Sequence, residues 1–554
     1  MAVSPGDRST HMHVVGASGR GKSKFLEQLI RQDIRHRHGL CLIDPHGTLY
    51  EDVVAWCARN GLHRRRRIHL VDPNDPAWTV GFDPLRCENP EDLSLAVDAT
   101  VEACAQVWGG EDSNRTPLLK KCLRAVFYAL AATGHPFSDA LALTKINDVD
   151  GFRAAATGNL PDSIYQTVWD DLNGLSKREF AETFSSTHNR LIEFLSSPLI
   201  RRMLSVKENV LDLRRCMDEG DIVLVNLQPR KISNDNARLV GTLLTNSLFN
   251  FAIRRDEREA KRKPFYLYVD ECYQYLTSDV EAMLDQTRKF GLHLILSHQH
   301  LAQLSKYGDH VYQAVMTNAQ TKVVFGGLSD ADGETLAREL LRETFDFNRT
   351  KDVLDKPVVV GFERVIMNSQ GRAVGKALTE GESSMSADMS GMAMGTGAVE
   401  TFGADGLPIG ASASEVSTSN SGFSHGQGSM KAVSESEVYS EGQSEALMPV
   451  LSRMPTSVES QDEILHRAIL AIRKLPPRGF FLTRPHKPPT LMVTPEVKEP
   501  RVSARRISTF LTAVRDASPF LMRREAIEAL MDMRDVEDTF IDEDDEDIFS
   551  VPDQ

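Results

Sequence analysis

The chain has 554 residues, 41% hydrophobic and 26% charged, so it is long enough for several globular domains with buried cores. Its 64 Lys and Arg against 78 Asp and Glu give a net charge of −14, which taken alone would count against a nucleic-acid partner. Residues 532–554 account for −10 of that charge, so the remaining body is nearly neutral and the total excludes no partner class.

The cysteines and the apolar segments restrict the compartment. Seven cysteines are scattered without a Cys-x-x-Cys pair, which is typical of reduced thiols and counts against a disulfide framework or a zinc site. No run reaches the ~18 apolar residues of a membrane helix, and the first residues lack the apolar stretch of a signal peptide. We therefore expect a cytoplasmic protein without an intrinsic membrane span, brought to the inner membrane face by a partner if it acts there.

Residues 1–88 alternate strand and helix patterns, which predicts the first part of an α/β domain. Short apolar runs mark strands at His11–Val15, Leu40–Ile43 and Ile68–Val71, and a helix is predicted over Ser23–Arg35. Residues 89–206 show amphipathic helical patterns and no convincing strand. We predict that they form an all-α domain inserted into the α/β domain.

The α/β pattern resumes over residues 207–376, which predicts a mostly parallel sheet. Predicted strands there are Asp221–Leu227, Tyr266–Val269, His293–Ser297, Lys322–Phe325 and Val358–Phe362.

The rest of the chain is predicted from composition and pattern. Residues 377–447 are rich in Gly, Ser and Met with a single basic residue, Lys431, so we predict a disordered loop. Residues 448–500 return to the α/β domain with a strand at Gly479–Leu482. A helical segment over 501–531 and a disordered acidic tail over 532–554 complete the chain.

The strongest motif is the phosphate loop, Gly16-Ala17-Ser18-Gly19-Arg20-Gly21-Lys22-Ser23, which fits G-x-x-x-x-G-K-[ST]. Its glycines let backbone N–H groups wrap a phosphate chain, Lys22 adds charge at the β- and γ-phosphates, and the Ser23 hydroxyl is a ligand for Mg²⁺. A predicted strand precedes it and a predicted helix follows it, as this motif requires.

Four further residues fit the chemistry of phosphate hydrolysis. Asp270 and Glu271 end an apolar strand, where Asp270 would hold Mg²⁺ and Glu271 would polarise the attacking water. Gln299 ends the next strand and could sense the γ-phosphate or orient water. Arg288 lies between them, as either a finger that reaches a neighbouring subunit's γ-phosphate or a cation at a helix C-terminus.

Basic clusters offer contacts to nucleic-acid phosphates, although each is by itself more typical of a solvated face. The clusters are Arg64–Arg67, Arg201-Arg202, Arg214-Arg215, Arg254-Arg255 and Lys261–Lys263.

His298 and His300, on either side of Gln299, are interpreted as surface residues.

Together the motifs resemble the HerA–FtsK superfamily of DNA-pumping ATPases, and within it the TraG/TraD-type conjugative coupling proteins of type IV secretion. The resemblance covers about residues 11–345 and 448–496. It is carried by the phosphate loop and by Asp44-Pro45-His46-Gly47, Val269-Asp270-Glu271, Arg288-Lys289-x-Gly291, Gln299, Asn318–Lys322 and Asp330-Ala331. The sequence departs from the family pattern at Thr48, where an acidic residue is frequent.

The resemblance implies a RecA-like P-loop (ASCE) motor that uses ATP and Mg²⁺ and assembles into a homo-oligomer, typically a hexamer. It implies sequence-independent DNA contacts, with relaxase or secretion-channel proteins as partners. It assigns nucleotide and metal binding to Lys22 and Ser23, the metal and water carboxylates to Asp270 and Glu271, the sensor to Gln299 and a finger to Arg288.

The prediction is thus an ATP-hydrolysing motor that moves DNA in conjugative transfer. The alternatives are an ATPase that energises protein secretion or assembly without DNA, a HerA-type DNA-processing translocase, and a nucleotide-gated adaptor with little hydrolysis.

Overall fold

The computed structural model describes most of the chain. The described residues are 3–87, 89–109, 117–255, 262–277, 279–306, 308–340, 350–353, 358–379, 389–402, 408–422, 432–452, 455–458, 461–485 and 487–540. Only the backbone is described for Pro5, Gln461 and residues 350–458 and 533–540. The chain forms two compact units, of which one comprises Met1–Phe345 with Ile464–Gln554 and the other Asp346–Glu463.

A nine-stranded sheet organises the first unit. Its order is β16-β15-β8-β1-β7-β6-β2-β5-β3, in which the seven strands from β8 to β3 are parallel and β15 and β16 are antiparallel additions at one edge. The strands are β1 (Met12–Val15), β2 (Gly39–Asp44), β3 (Ile68–Val71), β5 (Ile222–Asn226), β6 (Phe265–Val269), β7 (Leu292–His298), β8 (Thr321–Phe325), β15 (Gly479–Arg484) and β16 (Lys487–Val493). This mostly parallel α/β sheet confirms the predicted fold class.

Helices connect the parallel strands, as right-handed crossovers require. Among the described residues, no helix combines the length and the apolar composition of a membrane span. The helices outside 89–206 are α1 (Pro5–Arg8), α2 (Lys22–Arg35), α3 (Thr48–Asn60), α11 (Leu213–Glu219), α12 (Asn234–Ile253), α13 (Val280–Gln286), α14 (Ala302–Ser305), α15 (Asp309–Asn318), α16 (Asp330–Leu340), α17 (Gln461–Arg473), α18 (Ala504–Ala517) and α19 (Arg524–Phe540).

The described residues of 89–206 are helical, with 3₁₀ turns at Pro90–Asp92 and Phe137–Asp139. Their core is continuous with that of the sheet: Phe127 and Trp169 belong to the same buried cluster as Ile43 and Val269. The division of the first unit into a motor and an inserted domain therefore stays a prediction. The helices are α4 (Leu93–Trp108), α5 (Pro117–Thr133), α6 (Ala140–Leu143), α7 (Phe152–Thr157), α8 (Ser163–Asn173), α9 (Lys177–Leu195) and α10 (Pro198–Leu204).

Both faces of the sheet are covered, as its unbroken apolar strands require. Along β2, Leu40 and Leu42 face one buried cluster, whereas Cys41 and Ile43 face the other. All seven cysteines are free thiols, six of them buried, which agrees with the predicted reduced state.

In the second unit, the described residues of 377–447 lie in two antiparallel strand pairs, β10 (Val358–Thr379) with β13 (Ala432–Ser452) and β11 (Met389–Phe402) with β12 (Pro408–Gly422). The disordered loop over 377–447 stays a prediction. The remaining pair joins β9 (Thr350–Val353) to β14 (Pro455–Val458).

The segment 501–531, predicted as helical, contains α18, the start of α19 and also β17 (Leu521–Arg523), which pairs with β4 (Trp78–Val80), a partner more than 400 positions away that no local pattern indicates. Helix α19 continues through Phe540, and the disorder of the acidic tail from 532 stays a prediction. Residues 541–554 lie outside the described part.

A buried ion pair joins the first helix to the sheet. Arg8 Nη1 lies 2.6 Å from Asp33 Oδ2, both side chains are fully buried, and Tyr268 donates its hydroxyl hydrogen to the same carboxylate. The Arg8, His38 and Tyr268 partners hold the pKa of Asp33 below its usual value although burial raises it.

Asp33→Leu should destabilise the protein by about 3–5 kcal/mol, because Arg8 would remain buried without its partner. Chemical denaturation monitored by circular dichroism measures the change. The double variant Arg8→Met/Asp33→Leu is the control and should recover much of the loss. If Asp33→Leu were as stable as the wild type, the ion pair would not contribute this free energy of unfolding.

Candidate functional site

The predicted site residues other than Arg288 lie at the carboxyl edge of the parallel strands. β7 lies between β1 and β6, with Val15 opposite His298 and Val269 opposite Leu296. The phosphate loop follows β1, Asp270 and Glu271 follow β6, and Gln299 follows β7. Because adjacent strands are about 4.8 Å apart, the loop and the two carboxylates are separated by the width of two strand spacings.

The phosphate loop depends on its glycines. Gly19 and Gly21 have φ values of 74° and 106°, in the region that L side chains rarely adopt. A Cβ at Gly16 would lie 2.4 Å from Phe325 Cβ, so only glycine lets the loop pass the end of β8. These constraints give the loop the wrapped form that its sequence predicts.

Lys22 and the start of α2 complete the cradle. Gly21 caps α2 without a side-chain hydrogen bond, and its first turn has no acidic residue, so backbone N–H groups there remain available to an anion. Lys22 Nζ donates to Gly16 O at 2.6 Å, and burial lowers the pKa of Lys22 while Glu271 and Asp270 oppose that effect. Ser23 is exposed, so its hydroxyl is accessible.

Asp270 is a buried carboxylate suited to a divalent cation. Burial raises its pKa to about 6, and the negative charges of Glu271 and Asp44 add to the effect. A cation at this position would favour the ionised form, because carboxylate oxygens are the ligands that Mg²⁺ prefers. Asp270 and the Ser23 hydroxyl are thus the residues that could hold the metal.

The pKa of Glu271 is shifted in the opposite direction from that of Asp270. The backbone of Glu271 has a φ of 47°, a strained conformation of the kind found at functional sites. Gln299 Nε2 donates to Glu271 Oε1 at 2.7 Å, whereas Oε2 is buried and has no hydrogen-bond partner in the part of the chain that the structure describes. Although burial raises its pKa, His46 and Gln299 bring the pKa of Glu271 below its usual value. The lowered pKa favours the ionised form of Glu271, which is the form that a general base needs.

His46 is a site residue to which the sequence alone assigns no role. Its Nε2 lies 4.0 Å from Glu271 Oε1, and that carboxylate raises the pKa of His46. Asp44 fixes the turn by accepting hydrogen bonds from the His46 N–H at 2.8 Å and the Tyr50 N–H at 2.9 Å. The Asp-Pro-His-Gly box was visible in the sequence, but its contact with Glu271 depends on the pairing of β2 with β6.

Arg288 does not join this site within one chain. It is exposed in the 3₁₀ turn Thr287–Phe290, which precedes β7, whereas Gln299 follows β7. The seven residues of β7 place the two edges of the sheet roughly 20 Å apart at about 3.3 Å per residue. A contact of Arg288 with a γ-phosphate would therefore need a second subunit.

The surface interpretation of His298 is wrong, whereas His300 is exposed as expected. His298 is fully buried, and its Nε2 lies 2.5 Å from Nε2 of the stacked His13 ring. Burial lowers the pKa of both, so the pair is neutral. β7 extends one residue beyond the predicted end, which turns His298 into the core next to β1.

Most of the predicted basic clusters are occupied by contacts within the chain. Arg66 donates to three backbone carbonyls, and five further cluster members form ion pairs. The pairs are Arg67 with Asp221, Arg202 with Glu528, Arg215 with Glu219, Arg254 with Asp92 and Arg255 with Asp218. Lys261 lies outside the described residues.

Arg64 and Arg65 differ, since both are exposed and neither side chain has a partner among the described residues. With His63, Arg505 and Arg506 they line a cleft of about 480 Å³ between the end of α3 and the start of α18. Arg506 is bonded to carbonyls of α3, which fixes α18 at this place. The cleft concentrates positive charge where an anionic chain could contact it.

His69, Cys216 and Asp221 bring three possible metal-ligand atoms within 4.8 Å of one another. His69 Nε2 lies 3.0 Å from Asp221 Oδ2, and Arg67 Nε donates to Oδ1 at 3.2 Å. The carboxylate is thus satisfied beside a fixed positive charge, which opposes cation binding. We interpret the group as a structural contact.

The chain has known relatives. The family model of the type IV secretion-system coupling protein DNA-binding domain matches residues 1–344. Comparison with curated proteins gives no match.

Among solved structures, the chain is similar to the bacterial conjugative coupling protein TrwBdeltaN70 in its unbound form, with a TM-score of 0.51 and 15% identity over 90% of this chain and 88% of that one. The plasmid coupling protein TrwB with ADP and Mg²⁺ gives 0.51 and 15% over 89% and 87%, and its complex with the ATP analogue ADPNP gives 0.51 and 16% over 90% and 89%. At such identities the likeness shows the shared α/β fold.

His46→Asn should move the acid limb of the rate of ATP hydrolysis to higher pH. The reason is that His46 is one of the groups that hold the pKa of Glu271 down, and ionised Glu271 is the form that can accept a proton. The pH–rate profile of the purified protein measures this shift. His300→Asn is the matched control and should leave the acid limb of the profile in place. An acid limb that does not move in His46→Asn would contradict an effect of His46 on the pKa of Glu271.

Proposed function

Since the chain belongs to the family of type IV secretion-system coupling protein DNA-binding domains, we propose that it hydrolyses ATP to move DNA in conjugative transfer. The observation that carries the proposal is the position of Glu271, whose Oε1 accepts a hydrogen bond from Gln299 and whose pKa is lowered in part by Lys22 of the phosphate loop. A carboxylate beside the phosphate loop can serve as the base for the attacking water.

Each site residue has its own role in the proposed hydrolysis. Backbone N–H groups of the phosphate loop and the Lys22 ammonium bind the phosphates, and Ser23 and Asp270 would hold Mg²⁺. The metal would neutralise charge that develops on the phosphate oxygens. Glu271 accepts the proton of the attacking water through Oε2, and Gln299 keeps Oε1 in place. TrwB has been solved with ADP and Mg²⁺ and with ADPNP, which supports the same cofactors here.

DNA is proposed as the substrate, bound through its backbone without sequence readout. The matched family is described as a DNA-binding domain, and the unpaired Arg64 and Arg65 in their cleft supply charge for phosphates. The proposal further includes a relaxase or channel partner that brings the protein to the inner membrane face.

Two other functions would leave different evidence. An ATPase that energises secretion without DNA would hydrolyse ATP at a rate that DNA does not change. An adaptor gated by nucleotide would bind ATP with negligible turnover, which the position of Glu271 after β6, hydrogen-bonded to Gln299, argues against. A HerA-type processing translocase would share the DNA stimulation and differ in its partners.

ATP hydrolysis by the wild type should increase when DNA is added, and Lys22→Ala should abolish both rates because the phosphates lose their cation. Glu271→Gln should bind ATP and lose at least about 100-fold in rate, the typical contribution of a positioned base. Steady-state phosphate release with and without DNA measures these rates.

The matched control is Arg64→Gln/Arg65→Gln, which should keep the DNA-free rate and lose part of the stimulation. DNA-independent turnover in the wild type would contradict the DNA motor and favour the secretion ATPase.

We also propose that the active protein is a homo-oligomer, typically a hexamer, in which Arg288 reaches the nucleotide of a neighbouring subunit. Its exposure and its distance from Glu271 within one chain fit that role.

Mixing Arg288→Ala subunits with Glu271→Gln subunits should restore part of the activity that each variant lacks, because some interfaces then combine an intact Arg288 with an intact Glu271. Rates of mixed and unmixed samples of equal concentration measure the recovery. Oligomers that form without recovery would exclude a role of Arg288 in the adjacent subunit's site.

A further inference from the structure

The loop between α17 and β15 lies directly against the phosphate loop. Arg478 donates its backbone N–H to Arg20 O at 2.9 Å, and Arg20 Nη1 contacts Leu475 O at 3.4 Å. A Cβ placed on Gly21 would lie 3.3 Å from Arg478 Cα. Residues that follow the whole second unit along the chain are therefore part of the wall around the phosphate loop.

Arg478 occupies a backbone conformation that favours glycine. Its φ is 69°, and both of its backbone polar groups are bonded, since Thr494 N donates to Arg478 O at 2.8 Å. Non-glycine residues held in this region are few and occur preferentially at functional sites. Glu271 is another such residue, and it lies on the other side of the same loop.

The guanidinium of Arg478 is available to a ligand. The residue is exposed, and its side chain has no hydrogen bond or ion pair among the described residues. A guanidinium binds phosphate oxygens with two parallel hydrogen bonds and stacks on flat rings. A nucleotide offers both partners.

The order of strands decides which end of a nucleotide Arg478 would meet. From β1 the sheet runs through β7 to β6 on one side and through β8 to β15 on the other. Glu271 follows β6, whereas Arg478 precedes β15, whose antiparallel direction puts its start at the same edge. A phosphate chain with its terminal phosphate near Glu271 then directs its α-phosphate and nucleoside towards Arg478.

We propose that Arg478 binds the α-phosphate and nucleoside end of the nucleotide held by the phosphate loop of its own subunit. This inference rests on the proposed function and adds a specific contact to it. Because ATP and ADP share that end, the contact serves both, unlike a contact to the γ-phosphate.

Three variants of the full chain separate the guanidinium from the backbone. Arg478→Gly removes the side chain and suits the positive φ. Arg478→Asn removes the charge but also tolerates a positive φ, and Arg478→Lys keeps the charge. Isothermal titration with ADP and Mg²⁺, and with ATP in a Glu271→Gln background, measures the Kd. Arg178→Gln, with a side chain 88% exposed on α9, is the control.

Arg478→Gly and Arg478→Asn should each raise the Kd for ATP and for ADP about tenfold, which is at the low end for the loss of a hydrogen bond to a charged group. Arg478→Lys should raise these Kd values less. The KM for ATP should rise by more than kcat falls. Unchanged Kd values in the Gly and Asn variants would overturn the inference, as would a loss confined to ATP.

Failure of the proposed function would look different. A wild type that binds no nucleotide would overturn that function and this inference together. Binding by the wild type that Lys22→Ala abolishes shows an intact site, and the Arg478 variants then decide this inference alone.

Discussion

The site depends on the placement of β7 between β1 and β6. Parallel pairing brings three carboxyl ends to one edge at a spacing of about 4.8 Å, so the phosphate loop and Glu271 stand apart by one strand, with Gln299 at its end. In the proposed mechanism, the terminal phosphate and the attacking water would lie in that gap between the loop and the carboxylate. Direct pairing of β1 with β6 would leave no strand to carry the amide that bonds Glu271.

The same edge gives two adjacent carboxylates different proton affinities. Asp270 is buried between like charges, which raises its pKa to about 6, whereas His46 and Gln299 lower the pKa of Glu271 despite its burial. The two environments therefore separate the acidic pair: a cation would favour the ionised form of Asp270, whereas the pKa of Glu271 is lowered without one.

The second unit, Asp346–Glu463, interrupts the chain between elements that both contribute to the wall of this site.

Local patterns were sufficient where one segment carries the chemistry. The phosphate loop and the Asp270-Glu271 strand end could be predicted because their geometry comes from consecutive residues, and apolar runs placed most strands of the sheet to within one or two residues. Local patterns failed where a distant partner decides. His298 was interpreted as exposed because nothing nearby shows its contact with His13, and β17 pairs with β4 from more than 400 positions away.

The sequence by itself determined the class of chemistry, because glycines, a lysine and a serine at fixed spacing can wrap a phosphate chain wherever a strand leads into a helix. Only the tertiary structure decided which other groups reach that chain. It brought His46 beside Glu271, placed Arg288 at the opposite edge and held Arg478 against Gly21 from a position more than 450 residues away. These contacts depend on strand order and crossover connections, which arise from packing of the whole sheet and leave no trace in neighbouring residues.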